Sequence, residues 1–416
     1  MKSELKINMN MFNDRGKSVF ILKILKKKFN NLIKKTYYLA FGLAAKLPAK
    51  KKTVMFESYG GKQYSCNPRA IYEYMIDHYK DYHLFWSVNP HNVAFFEQQG
   101  IPYIKRFSLK WLFYVARAEY WVVNSRMPLW IPKPKHTTYL QTWHGTPLKR
   151  LAADMDEVHM PGTNTERYKK NFIKEAKKWD YLISPNEYST KIFKRAFEFN
   201  GEMLNTGYPR NDVLYKKVDH LKNDIRQRLE IKPGKKVILY APTWRDNEFY
   251  AKGKYKFQLN FDIESMKKHF GDECIILLRM HYLVAESFDF NKYKGFIHDV
   301  SSYPDIRELY IISDILITDY SSVFFDFANL KKPIIFFTYD IENYRDTLRG
   351  FYFDLEKEAP GALVYNEKEL IEEIQKGIKE SKLNKNYIEF YDKYCAFEDG
   401  NAAERVVKAV FEENRE

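Results

Sequence analysis

Cysteine is scarce: Cys66, Cys274 and Cys395 are the only three in 416 residues. Their odd number and wide spacing exclude a disulfide framework and a CxxC metal site, and a reducing, cytoplasmic setting follows. A membrane-spanning run is missing too. In the basic N-terminal part the longest uncharged stretch, TYYLAFGLAA, has ten residues, where about 20 are needed to cross a bilayer. Lysines interrupt its apolar part and no small-residue cleavage site follows, so it does not read as a signal peptide. No Walker loop, GxSxG elbow, HExxH or GxGxxG fingerprint occurs, which removes the familiar motifs of phosphate loops, serine hydrolases, zinc proteases and dinucleotide folds. Acid is absent from residues 15–52, which hold twelve Lys and Arg.

That last absence explains the charge. Residues 1–14 cancel to zero, so removing the twelve charges of 15–52 from the net +14 leaves +2 for residues 53–416. A near-neutral body is a poor nucleic-acid binder, and no nucleic-acid partner is expected. The aromatic share of 17% is spread along the chain and reads as core filling, not as base-stacking platforms. Within 18–52, Ile21, Leu22, Leu25, Phe29, Leu32 and Ile33 fall within an arc of roughly 120° on a helix, with lysines mostly opposite. Phe20 and Ile24 lie outside the arc. Such a segment either packs on the body or lies on an anionic membrane surface, where each basic residue contributes about 1 kcal/mol. The second reading places the protein peripherally on the cytoplasmic face of the cell membrane.

With 416 residues and 45% hydrophobic content, two domains are the natural division. From residue 53, short β runs alternate with helical patterns, the mark of parallel α/β architecture. TVMFES (53–58), HLFWSV (83–88), PYIKRF (102–107), YWVVNS (120–125), TTYLQTW (137–143), YLISPN (181–186) and a run in EMLNTGYPRND (202–212) form one series. KVILYAPT (236–243), CIILLRMH (274–281), GFIHDV (295–300), DILITDYSS (314–322) and PIIFFTYD (333–340) form a second. The expected division is a basic amphipathic segment at 1–52 and α/β domains at 53–212 and 213–416. Ligands of such sheets bind beyond the strands' C-terminal ends.

Four polar clusters stand at those ends. The first domain offers Trp143-His144-Gly145-Thr146-Pro147. The second offers Pro242-Thr243-Trp244-Arg245-Asp246, then Arg279-Met280-His281, then Thr318-Asp319-Tyr320-Ser321-Ser322. The serine cluster before an apolar helix suits an anion such as a pyrophosphate, with Arg279 and His281 one strand over. Alone it equally suits a helix N-cap by Asp319 or Ser321. His144 is the candidate base: Gly145 admits a ligand close to backbone and Pro147 can start the next helix. Alone, a histidine beside tryptophan equally suits a packed core. His281 would donate to a phosphate oxygen or steady the leaving group. Asp154-Met155-Asp156 has DxD spacing but follows the helical-looking PLKRLAA stretch instead of a strand end, so no metal is expected; cations and helix ends can neutralise a pyrophosphate. Gly60-Gly61 is either a plain turn or a place where an acceptor meets backbone.

FESYGGKQYSCNPRAIYEYM, TWHGTPLKRL, NTGYPRND, YAPTWRD, LRMH, ITDYSSVFFDFANLKKPIIFF and RGFYFD occur in order across 53–400. On these motifs the chain resembles the CDP-glycerol glycerophosphotransferase family of teichoic acid and capsule synthesis. The resemblance implies a GT-B-type fold of two Rossmann-like domains facing across a cleft, with acceptor on the first and CDP-alcohol mainly on the second. It implies peripheral membrane attachment, no cofactor, His144 as base and His281 near the pyrophosphate. Gly145, Thr146, Arg210, Thr243, Trp244, Arg279, Ser321 and Ser322 follow as nucleotide or phosphate contacts. Cys66 departs from the pattern, where an acidic or small polar residue is expected.

The reaction this implies is attack by a hydroxyl of a lipid-linked polyol-phosphate or disaccharide acceptor on the phosphorus nearer the glycerol of CDP-glycerol, releasing CMP. CDP-ribitol is the alternative donor, sharing cytidine and pyrophosphate. A nucleotide-sugar glycosyltransferase on the same fold is a rival, although Asp319 and Asp326 are seven apart where retaining enzymes often space two acids by eight. A non-catalytic membrane scaffold is the remaining class.

Overall fold

The computed structural model describes residue 28 and residues 30–158, 163–243, 245, 249–251, 254–255, 258–280, 290–345, 350–380 and 383–412. Trp244 and His281 therefore lie outside the described residues, as does most of the amphipathic arc expected over 21–33.

Two parallel sheets form. The first has seven strands: β1 (Lys50–Glu57), β2 (His83–Val88), β3 (Tyr103–Lys105), β4 (Ala118–Val123), β5 (Thr138–Gln141), β6 (Tyr181–Ser184) and β7 (Glu202–Asn205). They run in the order β3-β2-β1-β4-β5-β6-β7. The second sheet starts with β8 (Lys236–Ala241). A small antiparallel ribbon, β9 (Phe249–Ala251) with β10 (Lys254–Tyr255), then precedes β11 (Cys274–Leu278), β12 (Ile297–Asp299), β13 (Ile315–Thr318), β14 (Ile334–Phe337) and β15 (Ala362–Val364). Its order is β12-β11-β8-β13-β14-β15, so the winding reverses between β8 and β13. The expected α/β class and paired sheets are present. The edge strand β15 and the ribbon β9–β10 were not among the expected strands.

The central strands are apolar over their buried stretches because both faces are covered. On β1, Met55 faces one core with Trp111 and Trp121, while Val54 and Phe56 face another with Trp86 and Ile71. On β8, Val237 and Leu239 alternate in the same way with Ile238 and Tyr240.

Chain order and spatial order part company at both ends. Residues 30–44 are helical, and Phe41 and Ala44 are buried in the first sheet's core. Tyr37 packs edge-on to Phe107 and Trp130 and donates to the Ser108 carbonyl at 3.1 Å. At the other end, Val406, Val407, Val410 and Phe411 cross back to the first sheet and pack with Val54 and Phe56. Segments that the 52/53 and 212/213 divisions assign elsewhere thus belong to the first sheet's core. Asp212 accepts from the N–H groups of Ala402 and Ala403 at 2.9 and 2.8 Å, capping the returning helix Ala402–Val407.

A second correction concerns residues 147–151, expected to be helical. They run extended instead. Arg150 N–H donates to the Gly350 carbonyl and Tyr352 N–H to the Leu148 carbonyl, both at 2.9 Å. A strip 200 residues away satisfies the backbone that a helix would have satisfied internally.

Glu398 sits where the crossing begins. One carboxyl oxygen accepts from Tyr208 N–H and Asn211 Nδ2, both at 3.0 Å, and the other is buried with no partner among the described residues. Burial pushes its pKa up to about 8. A group whose folded pKa is raised stabilises the fold below its unfolded value of about 4.5 and loses that contribution as pH rises through 8. Glu398→Gln, which mimics the neutral acid, should therefore gain in thermal midpoint on the wild type as pH goes from 6 to 9. Parallel melting curves at all pH values would contradict this.

Candidate active site

β5 ends at Gln141 and the chain turns sharply through Trp143, whose φ of 51° is left-handed. Its N–H donates to Gln141 Oε1 at 3.0 Å and its ring packs into the aromatic core beside Phe193 and Phe197, 6.0 and 4.8 Å away. The turn throws His144 beyond the sheet, between the indole of Trp143 at 4.4 Å and the ring of Tyr59 at 5.7 Å. His144 Nδ1 lies 2.7 Å from the Asn124 carbonyl oxygen. A carbonyl only accepts, so Nδ1 carries the proton and Nε2 the lone pair. The Asn124 side-chain Oδ1 also accepts from the Tyr59 backbone N–H at 2.8 Å, so one residue just after β4 holds both the imidazole and the Tyr59 backbone.

Burial is the main reason the His144 pKa falls to about 4, with the Arg210 charge pulling the same way and the Asn124 bond opposing. The imidazole is neutral at physiological pH. A neutral ring with a fixed tautomer is a ready proton acceptor.

Arg210 holds the turn from behind. It is 6% exposed. Nη1 donates to the His144 carbonyl at 2.8 Å and contacts Cys66 Sγ at 3.3 Å, while Nη2 pairs with Asp326 of the second domain at 2.7 Å. Burial opposes its charge, yet Asp326 keeps Arg210 protonated well above the ordinary range. Asn211 adds a bond to Asp326 at 3.2 Å. A second clasp joins Arg69, on helix Cys66–His78, to Asp305 and Glu308, both at 3.1 Å.

From the second domain, Ser322 caps the short helix Val323–Phe327 without a side-chain bond to it. A Cβ on Gly145 would stand 2.8 Å from Ser322 Oγ, so glycine is what lets the two domains touch here. Asp319 accepts from Thr243 N–H at 2.8 Å and Tyr320 N–H at 2.6 Å, and pairs with Arg245 at 2.9 Å. It organises the loops and caps no helix. Arg279 donates to the carbonyls of Val300 and Ser301 at 2.6 and 3.0 Å, fixing the loop after β12. Burial lowers its pKa from the ordinary arginine value.

Two cavities result. One, of ≈ 380 Å³, is lined by His144, Arg210, Arg279, Ser321 and Ser322 among others. Its neighbour, of ≈ 320 Å³, is lined by His144, Gly145, Thr146, Pro147, Thr243, Ser321 and Ser322 among others. Nine of the eleven residues singled out in the sequence thus reach one place, and the other two, Trp244 and His281, are not described. The acids of the DxD-like stretch are engaged elsewhere: Asp154 with Arg195 at 2.7 Å and Asp156 with Arg150 at 2.6 Å. Gly61 packs on the Ser87 carbonyl and Asn89 N–H at the end of β2, the environment of a tight turn.

Known proteins share this sequence pattern and fold. The profile of the CDP-glycerol:poly(glycerophosphate) glycerophosphotransferase family matches residues 39–412. The chain belongs to that family. A teichoic acid poly(glycerol phosphate) polymerase of Bacillus subtilis strain 168 is 61% identical over 98% of this chain, which spans 55% of that relative's length. A polymerase of the same description from Bacillus spizizenii is 57% identical, with 92% of this chain and 98% of the relative covered. A teichoic acid glycerol-phosphate transferase of Staphylococcus aureus is 48% identical, with 93% and 100% covered. The wall teichoic acid polymerase TagF, in a His-to-Asn variant soaked with CDPG, superposes with a TM-score of 0.84 and 42% identity over 94% of this chain and 97% of that one. A UDP-N-acetylglucosamine 2-epimerase fold from Listeria monocytogenes matches at a TM-score of 0.50 and 12% identity over 88% and 97%, a likeness of GT-B-like fold alone.

At this site the sequence missed Asn124 and gave Asp326 only as one of two acids of a rival glycosyltransferase reading. Asn124 looked like the end of a strand, and Asp326 like an acid within the apolar stretch FFDF. An acid inside an apolar helix was the available signal, since a buried carboxylate needs a partner.

Two outcomes follow. Asp326→Ala leaves Arg210 buried and unpaired, which should cost about 3–5 kcal/mol in urea unfolding; a loss below 1 kcal/mol would remove the clasp. The His144 pKa of about 4, against an unfolded value of 6.5, keeps the base form dominant down to about pH 5. The acid limb of kcat/KM should lie well below 6.5, and the folded state should lose His144's contribution as pH falls from 6.5 to 4. An acid limb centred at 6.5 or above would contradict both.

Proposed function

We propose that this protein transfers glycerol phosphate from CDP-glycerol to a hydroxyl of a membrane-held polyol-phosphate acceptor, releasing CMP. The observation that carries the reading is the fixed tautomer of His144, a residue that lines both cavities. His144 takes the acceptor proton as the oxygen attacks phosphorus. Ser321 and Ser322, at the end of β13, face the diphosphate, and closure of the two domains around it excludes water. The relatives' names and the TagF structure soaked with CDPG support the donor and the product class.

The membrane side has its own support. On the helix at 30–44, Tyr37, Ala40, Phe41 and Ala44 take the face turned to the first core. Leu32, Leu39 and Leu43 share the opposite face and are 62%, 56% and 66% exposed. Leu109 is 83% exposed on the adjoining helix Leu109–Val115. Lys34, Lys35, Lys46 and Lys110 flank these leucines in sequence. Apolar side chains ringed by cations suit an anionic bilayer surface. Among the described residues no helix is long and apolar enough to cross a membrane.

The decisive experiment offers purified protein CDP-glycerol, CDP-ribitol and UDP-sugars with a lipid-linked acceptor and identifies the released nucleotide. CMP from CDP-glycerol is expected, and His144→Ala should lower turnover about 10²-fold or more while sparing donor binding. UDP release, or near-normal turnover of the variant, would overturn the reading. Replacing Leu39 and Leu43 by Glu should abolish sedimentation with vesicles containing phosphatidylglycerol while leaving turnover of a soluble acceptor intact. Equal sedimentation of variant and wild type would remove the membrane assignment.

A further inference from the structure

Away from the cleft, a further cavity of ≈ 710 Å³ opens at the opposite edge of the first sheet, where the strands begin. Lys50, His83 and Tyr103 are the first residues of β1, β2 and β3, and all three line it. The transfer reaction makes no use of this place.

The lining divides by chemistry. Phe85 and Ile104 are buried and form an apolar wall. Lys51, His83 and Lys110 are exposed at the rim, and Lys50 is half-buried. Among the described residues no aspartate or glutamate lines the cavity. Nearby acids are engaged elsewhere: Asp81 pairs with Lys52, Glu119 accepts from the Lys52 N–H, and Glu97 accepts from the Tyr103 hydroxyl. Lys50, Lys51 and Lys110 have no ion pair among the described residues.

Two of these cations converge on one ring. Lys50 Nζ lies 3.9 Å from the centre of the Tyr114 ring, and Lys110 Nζ lies 5.8 Å from the same centre. The ring attracts each ammonium group. The two groups repel one another, and an anion between them turns that repulsion into attraction. Tyr114 is itself part of the wall, edge-on to Phe85 at 6.0 Å.

Location selects what carries the anion. Lys110 and Tyr114 stand four apart on the helix Leu109–Val115 and share one face. Leu109 and Phe113, also four apart, take the neighbouring face and are 83% and 38% exposed. The cationic rim therefore adjoins the apolar surface that meets the bilayer in the reading above. A molecule with a phosphate at one end and acyl chains at the other satisfies both at once.

We propose that this cavity binds the headgroup of an anionic glycerophospholipid, with its phosphodiester between Lys50 and Lys110 and its acyl chains leaving past Leu109 and Phe113. The assignment rests on the membrane reading given above and adds to it a discrete site remote from the catalytic cleft. Charge alone draws a basic surface to any anionic bilayer. A shaped cavity also holds a single lipid where no bilayer is present.

Calorimetric titration of the full chain tests this, with dihexanoyl phosphatidylglycerol kept below its micelle concentration as the probe. One lipid per chain should bind. Lys50→Gln combined with Lys110→Gln should weaken binding about 10-fold or more, with thermal midpoint and turnover of a soluble acceptor unchanged. Leu39→Glu with Leu43→Glu should lose vesicle sedimentation yet keep the affinity for the short lipid. Inorganic phosphate binding as tightly as the lipid would make this a free-anion site, and equal binding of dihexanoyl phosphatidylcholine would remove the charge recognition. Either result would overturn the proposal, as would unchanged affinity in the lysine variant. Wild-type protein that sediments with vesicles but does not bind the short lipid would strike out the cavity alone; protein that does neither would strike out the membrane reading with it.

Discussion

One buried ion pair organises the molecule. Arg210 leaves the first domain at the end of the NTGYPRND stretch and meets Asp326 of the second, both side chains enclosed. Taking two charges out of water costs several kcal/mol for each, so the pair persists only because further bonds complete it. Asn211 supports the carboxylate, and the other arm of the guanidinium holds the His144 carbonyl. The same contact that joins the domains therefore sets the backbone from which the histidine projects. The contact between the domains and the position of the imidazole are set by one buried network.

The histidine's chemistry follows from its enclosure. In water an imidazole titrates near neutrality and turns freely between tautomers. Here Asn124 chooses the tautomer, two aromatic rings fix the plane, and burial beside a guanidinium keeps the ring neutral. A lower pKa makes a weaker base but one that is almost fully available, and the trade suits the proton transfer proposed for it. Around it the cations that looked free to grip phosphate have other duties. Arg279 carries the loop after β12, and Arg245 ties Asp319 to Asp340 at 2.7–2.9 Å. What faces the shared wall of the cavities is largely hydroxyl.

Local pattern made the strands legible. Buried parallel strands must be apolar on both faces, so each appears as a short hydrophobic run, and the polar residues that follow mark the ligand edge. Local pattern misled at 147–151, where helix-compatible residues lie extended because their backbone partners are Gly350 and Tyr352. It was silent on Asn124, whose carbonyl and side-chain oxygen each hold a residue distant in the chain. It placed Arg210 at the site without revealing that the guanidinium is already engaged, because the partner lies 116 residues on.

By itself the sequence determined the two α/β halves, the family, and nine of the groups that gather at the cleft. These depend on residue type and near-neighbour spacing, and both are written along the chain. Tertiary structure alone decided which nitrogen of His144 is basic, which arginines are tied into the protein's own loops and ion pairs, and that the last described helix returns to the first sheet. Each of those turns on a distance between residues far apart in the chain, fixed only when the two sheets close on one another.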